Sequence, residues 1–431
     1  MKTSQLTLKQ TTIAAALGNM LEFYNFTLFS LFLPILLPVF FPADSYFASL
    51  LLGYLVLAVG FLAYPFGSLL FGYIGDKYGR KTALLLSISL MAIATCLIGI
   101  IPSYQQLGYI SPLALSLCRI VQGICAGGEA IGAGVLVVEH AKKDSNVSFL
   151  GSIPAAFGTL GALLASIVVY FLTNYHLISE YWRYSFIAAL FLGLIGFFFR
   201  KAMSESPLFQ REKETEKIKN ANINNNISVT AFFIKTPLSL TVAAAVVALG
   251  TVPFYLIIGF LNIYLGDIGI ITPEERVTLN LILMTFCALT LPLAGYIAGK
   301  IDYAKIMIIS AVITLCYAYP FFKIIFLGSF SSVLSAELIL LGISQFYVAP
   351  INAFISKLFP TLLRYKGAAL GYCMGMALFG GTAPYISTLL IKWSGDNSIP
   401  FLYLILVSLI GMEGVILGQK LINETKASIN E

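Results

Sequence analysis

The chain has 431 residues, of which 58% are hydrophobic and only 11% charged, with a mean hydropathy of +0.89. A soluble domain carries about 25% charged residues, so this composition excludes an ordinary water-soluble globule. The formal net charge of +6 falls mainly on short loops between apolar runs, so it reads as membrane topology and not as a nucleic-acid surface.

In chain order, apolar runs of roughly 20 residues, each long enough to cross a hydrocarbon core, predict helices near residues 13–41, 47–73, 82–101, 112–139, 149–173 and 183–200. After the polar stretch Arg200 to Lys235 come 237–266, 276–298, 304–322, 333–357, 367–393 and 400–421. The runs are continuous, not alternating, which favours helices that satisfy their own backbone in lipid over a barrel. The expected fold class is an all-α polytopic membrane protein with twelve transmembrane helices in two six-helix halves. Residues 1–200 form the N-terminal half, 201–236 a cytoplasmic linker and 237–431 the C-terminal half. The linker reads as a surface helix followed by an Asn-rich flexible segment.

Lys and Arg set the orientation. With both termini in the cytoplasm, that side holds Lys2, Lys9, Lys77, Arg80, Lys81, Lys142, Lys143, the seven basic residues of the Arg200–Lys235 stretch, Lys300, Lys305, Lys357, Arg364, Lys366, Lys420 and Lys426. Only Arg183, Arg276, Lys323 and Lys392 fall outside, and Arg119 lies within a span. The first apolar run is too long, and too interrupted by polar residues, for a cleaved signal peptide. Cys96, Cys118, Cys125, Cys287, Cys316 and Cys373 all fall in proposed spans without C-x-x-C or Cys/His clustering, so they read as packing residues and imply neither a metal nor a cofactor.

Against this apolar background the first span reads "LGNMLEFYNFTLF", with Asn19, Glu22 and Asn25 three residues apart. That spacing lines one helix face over about two turns. Ionisable groups inside a span are costly and normally face a bundle interior or an aqueous cavity; the competing role is a hydrogen-bonded staple between helices. After the second span comes "GYIGDKYGRK", with Gly72, Asp76, Gly79, Arg80 and Lys81. The fourth span, "CRIVQGICAGGEAIGAGVLVVEHAKK", carries Arg119, Gln122, Glu129 and, at its end, Glu139. Close-spaced glycines at 123, 127 and 128, and at 367, 371 and 375, let helices approach closely. Counting roughly 1.5 Å per residue from the cytoplasmic ends puts Glu22 and Glu129 at about the same depth, where mutual repulsion would suit proton carriage.

The pattern G-x-x-x-D-x-x-G-R-K between helices two and three resembles the loop signature of the major facilitator superfamily. A degenerate second copy, "GYIAGKIDYAK" (295–305), has Gly299 in place of the acid. R-x-x-Q-G at Arg119, Gln122 and Gly123 resembles the helix-four signature of proton-driven members. With "AGGE", "EHA", "LGSIPAAFGTLGALLAS", "WRYSF" and "FPTLLRYKGAALGYCMGMALFGGTAPYISTLLI", the likeness covers the whole chain and is to the metabolite:proton symporter branch, which includes proline/betaine, citrate, oxoglutarate and shikimate importers.

The resemblance implies a bacterial-type cytoplasmic membrane protein, active as a monomer, moving a small solute together with protons. It places Glu22, Asn25, Arg119, Gln122 and Glu129 at the proton-coupling cavity, and Asp76, Arg80 and Glu139 in a cytoplasmic gating cluster. Asn25 departs from the aspartate usual in this branch and cannot carry a proton, so coupling falls to Glu22 or Glu129, or is lost in a uniporter.

Asn19, Tyr24, Tyr255, Gln345, Tyr347 and Asn352 are candidate solute contacts, the tyrosines offering faces to a cationic ammonium. With Arg119 the one buried cation evident in a span, a single carboxylate is matched, which suits a proline/betaine-like zwitterion or a small carboxylate and not a tricarboxylate. The other classes are a proton-independent uniporter or exchanger of a small organic acid, a non-transporting solute receptor, and a membrane enzyme. The last lacks a G-x-S-x-G, an H-E-x-x-H or paired metal ligands.

Overall fold

The computed structural model describes residues 8–42, 46–139, 146–202, 236–359 and 364–430. Twelve helices long and apolar enough to span a membrane run in sequence: α1 (Ala16–Phe40), α2 (Phe47–Gly75), α3 (Lys81–Ile100), α4 (Ile110–Glu129), α5 (Val147–Asn174) and α6 (Ile178–Lys201). Then come α7 (Pro237–Asp267), α8 (Pro273–Ala298), α9 (Tyr303–Ile325), α10 (Phe330–Lys357), α11 (Lys366–Ser394) and α12 (Phe401–Glu424). The expected spans and the all-helical architecture are thus present, six on either side of residues 203–235. The linker reading falls mostly on those residues, which lie outside the described ones. With twelve crossings, both chain ends lie on one membrane face, here the proximal face; the opposite one is the distal face.

Three helices are interrupted, each for a local reason. In α2 the α-helix stops at Leu62 and restarts at Tyr64, where Pro65 has no N–H to continue the ladder. α7 contains a π-helical turn, Ile257–Leu261, four residues after Pro253. α11 contains another, Met376–Gly380, just ahead of Pro384. Gly381 N–H bonds to the carbonyl five residues back, Met376 O, at 2.8 Å, while the ring of Pro384 leaves Gly380 O without its usual donor.

Among the described residues the halves meet where α5 packs on α8 and α10, α2 and α4 on α11, α4 on α10, and α1 on the π turn of α7. Within the first six helices α2 and α4 are in near-backbone contact: a Cβ on Gly123 would overlap Gly60 O, and one on Gly127 would overlap Tyr64 O. Only glycine permits that approach. Gly371 and Gly375 do the same for α11 against α7, meeting Ala243 and Ala244 O. Large apolar side chains such as Phe191, Phe198 and Leu289 point outward, where lipid covers them.

Hydrogen bonds cross between the halves towards the proximal face: Asn146 Nδ2 donates to Tyr296 O at 2.9 Å, Asn352 Nδ2 to Gly151 O at 3.0 Å, and Cys373 Sγ to Gly127 O at 3.8 Å. Gly79, the second glycine of the loop motif, has φ of 103°, a conformation that ordinary side chains avoid. The first, Gly72, faces open space, so it is not needed for close helix contact.

Candidate functional site

A small cavity lies inside the first six helices, between α1, α2, α3 and α4. Its polar lining is Glu22 and Asn25 from α1, Tyr64 from α2, and Arg119 and Gln122 from α4; Phe26, Phe61 and Met91 form its apolar wall. The spacing of three between Glu22 and Asn25 turns both towards α4, and the break at Ala63 sets Tyr64 opposite Glu22. Tyr64 Oη donates to Glu22 Oε1 at 2.8 Å, inside the protein.

Arg119 is held by a relay. Its Nη1 donates to Gln122 Oε1 at 2.8 Å, and Gln122 Nε2 donates to Thr95 Oγ1 at 2.7 Å. The guanidinium lies 4.5 Å from the centre of the Phe29 ring, a cation–π arrangement that supports a buried charge. Among the described residues Arg119 pairs with no carboxylate, and its Nε has no hydrogen-bond partner. Asn25 leaves both amide atoms without one. An unpaired buried polar atom costs about 1–3 kcal/mol, so three of them lining one cavity mark a place built to receive polar groups from elsewhere.

The structure brings together Glu22, Asn25, Arg119 and Gln122 from the expected set, and Tyr255 borders them. Its ring lies 4.6 Å from Phe26 and 5.0 Å from Phe61, carrying α7 up to the cavity wall. The remaining expected contacts are staples between helices. Asn19 donates to Pro154 O, Tyr24 to Ser185 O and Tyr347 to Gly411 O, while Asn352 clasps α5 as described. Gln345 Nε2 donates to Cys287 Sγ at 3.2 Å, away from the cavity lining.

Glu129 does not share Glu22's environment. Its carboxylate sits beside Gly18, one helical turn from Glu22 towards the proximal face. Arg200 grips it there through Nη1–Oε1 and Nη2–Oε2 contacts of 2.5 Å. Ser87 also donates to it. Arg200, taken from the sequence as a loop cation, is therefore a buried residue at the end of α6, and Arg276 in α8 is buried as well. Arg119 is not the one buried cation. Of the expected gating motif, Lys81 Nζ donates to Lys201 O at 2.6 Å; the side chains of Asp76, Arg80 and Glu139 lie outside the described residues.

Tyr64, Phe26, Phe61 and Met91 escaped the sequence reading. Only Tyr64 left a signal there, as a hydroxyl next to a proline within an apolar run.

A family profile described as Major Facilitator Superfamily matches residues 15–372. A Staphylococcus aureus (strain COL) protein named "Putative proline/betaine transporter" is 32% identical over 94% of this chain and 86% of its own length. The "Proline/betaine transporter" of Salmonella typhimurium is 28% identical over 94% of this chain and 82% of that protein. Among solved structures, a D-xylose-proton symporter superposes with a TM-score of 0.73 at 18% identity, covering 96% of this chain and 97% of that one; at that identity the likeness concerns the fold. With twelve spans and a profile that covers most of its length, this chain belongs to the Major Facilitator Superfamily, as a multi-pass membrane transporter and not an enzyme.

Proposed function

We propose that the chain imports a small zwitterion of the proline or betaine type, or a small monocarboxylate, by proton symport, with the proximal face in the cytoplasm. The observation that carries this reading is the guanidinium of Arg119, its Nε without a partner and with no carboxylate paired to it, beside the unpaired amide of Asn25 in one buried cavity. Together they offer a fork and an amide to one carboxylate. The rings of Phe26, Phe61 and Tyr64 supply faces for an ammonium group, which has an attractive interaction with aromatic quadrupoles. Glu22, joined to Tyr64, is the cavity's own acid and the proton carrier, since Glu129 is committed to Arg200. The names of the relatives favour proline or betaine among the zwitterions.

A second reading rests on Asn25. With an amide where the resemblance to proton symporters implies an acid, the same cavity serves a proton-independent uniporter. Purified protein in liposomes, offered labelled proline, glycine betaine and small monocarboxylates with and without an inward proton gradient, separates the two. Symport requires uphill accumulation that a protonophore collapses. Downhill flux indifferent to both treatments identifies a uniporter, and binding without flux identifies a receptor.

A further inference from the structure

Far from the cavity, in the second six helices, Glu337 of α10 is fully buried. Its carboxyl oxygens lie 2.8 and 3.3 Å from one terminal atom of the Asn262 amide on α7. The other terminal atom of that amide is 3.3 Å from Asn280 Oδ1 on α8, and Asn280 Nδ2 donates onward to Arg276 O at 2.9 Å. Asn262 and Asn280 are themselves fully buried.

This row of amides tests the charge on Glu337. Asn280 spends its N–H on Arg276 O and so presents an acceptor to Asn262. An ionised Glu337 also presents only acceptors. The single nitrogen of Asn262 serves one neighbour at a time: as placed it meets Asn280 Oδ1 at 3.3 Å, and with the amide turned it donates to the Glu337 oxygens at 2.8 and 3.3 Å instead. A proton on Glu337 resolves the row: the carboxyl donates to Asn262 Oδ1, Asn262 Nδ2 to Asn280 Oδ1, and Asn280 Nδ2 to Arg276 O. Among the described residues no cation pairs with this carboxyl, and an isolated ionised carboxylate deep in a helix bundle is costly enough that it takes up a proton instead.

The titratable groups on the elements packed against α10 do not supply another answer. Tyr317 of α9 donates to Ala336 O at 3.4 Å, Cys287 of α8 accepts from Gln345, and Arg276 enters through its backbone carbonyl. Tyr264 and Asp267 stand further along α7, with Tyr264 Oη donating to Asn397 at 2.7 Å.

Asn262 directly follows the π turn of α7. In that turn the Phe260 ring lies 6.2 Å from Tyr54 of α2, across the seam between the halves, and Gly259 packs beside Pro384 of α11. We propose that Glu337 is a proton-binding site separate from the Glu22 cavity, and that its bound proton fastens the distal segment of α7, and with it the distal closure between the halves. Loss of the proton draws the Asn262 nitrogen to Glu337, breaks its contact with Asn280 on α8 and frees that segment.

The test needs no solute, so it stands whether or not the transport reading does. Infrared difference spectra of detergent-purified protein at neutral pH are expected to contain a protonated-carboxyl band that Glu337→Gln removes. Hydrogen exchange over residues 257–267, corrected for intrinsic pH dependence, is expected to lose protection at least about tenfold as the pH is raised in the wild type. In Glu337→Gln, whose amide can still donate to Asn262, protection is expected to stay constant. An unchanged carboxyl band in Glu337→Gln overturns the site, and equal pH dependence of exchange in the two proteins overturns the link to α7. Should Glu337→Gln not fold, Glu337→Asp replaces it: a shifted band supports the assignment and an unshifted one overturns it.

Discussion

Arg200 and Glu129 form a two-pronged ion pair in which each side chain is 1% exposed. The pair ties the end of α6 to Glu129 of α4, with Leu84 O accepting from Arg200 and the Ser87 hydroxyl of α3 donating to Glu129. Removing one member of a buried pair leaves an uncompensated charge and costs about 3–5 kcal/mol, whereas replacing both by apolar residues is often neutral. Arg200→Ala and Glu129→Ala are therefore each expected to lower the Tm of purified protein sharply. The double variant Arg200→Met/Glu129→Leu is expected to regain most of the loss. Two harmless single variants would show that the pair has no structural role.

Coupling is tested at Glu22 and Asn25. Glu22→Gln keeps the size of the side chain and an acceptor for Tyr64 but removes the titratable group, so uphill accumulation is expected to vanish while solute exchange continues. Asn25→Asp returns an acid to the cavity that holds Arg119 and is expected to steepen the response of uptake to an imposed pH gradient. Flux assays in liposomes read both; exchange lost together with accumulation in Glu22→Gln would make Glu22 a structural residue.

Arg119→Lys tests the carboxylate fork. A lysine keeps the charge but loses the paired donors, and the expected result is a rise in KM of at least about tenfold, equivalent to roughly 1.4 kcal/mol. An unchanged KM would remove Arg119 from solute binding.

The glycines of α2 and α4 separate packing from motif. Gly123→Ala places a methyl group onto Gly60 O, and overpacking of this kind costs about 1–3 kcal/mol. Gly72→Ala meets nothing within 4 Å and is expected to leave Tm within about 0.5 kcal/mol equivalents of wild type. Thermal unfolding of the two variants side by side decides; equal effects would contradict the close approach of α2 and α4.

The clasps Asn146–Tyr296 and Asn352–Gly151 hold the halves together near the proximal face. Asn352→Ala removes one. Asn146→Asp removes the other while keeping the oxygen that caps Phe149 N–H at the start of α5. At about 0.5–1.5 kcal/mol per hydrogen bond, the double variant is expected to raise the proximal-open population about fivefold or more. Spin-label distances between the proximal ends of α5 and α8 report it, and an unmoved distribution would mean that the clasps do not set the state.

The twelve spans were legible because uninterrupted apolar runs leave little alternative in lipid, and the α2–α4 seam announced itself in Gly123 and Gly127. The Glu22–Asn25 face was legible from spacing and charge alone. Tyr24 was misplaced because, two residues from Glu22, it projects to a different side of α1 and reaches α6. Arg200 was counted among the exposed cytoplasmic cations because it adjoins Lys201 at the end of an apolar run, where the positive-inside rule cannot tell a snorkelling cation from one turned inward. Glu337 could have been found: a lone acid within the apolar run "LSAELILLG" is as conspicuous as Glu22. The depth count for Glu129 missed by a turn, because helix tilt and the true membrane edge are set by packing that the sequence does not display.

The π turns of α7 and α11 make chain length matter more than residue identity at those two places. Each accommodates one residue beyond what an α-helix would hold, and each additional residue rotates everything after it by about 100°. Deleting a single residue within 257–261 would swing Asn262 off the row leading to Glu337 and carry Phe260 away from Tyr54, whereas exchanging one aliphatic side chain there for another would leave both in register. The same holds for 376–380, where Gly381 must arrive opposite Phe61. Insertions and deletions at these two turns, silent in hydropathy, would rewire which side chains face one another across the bundle.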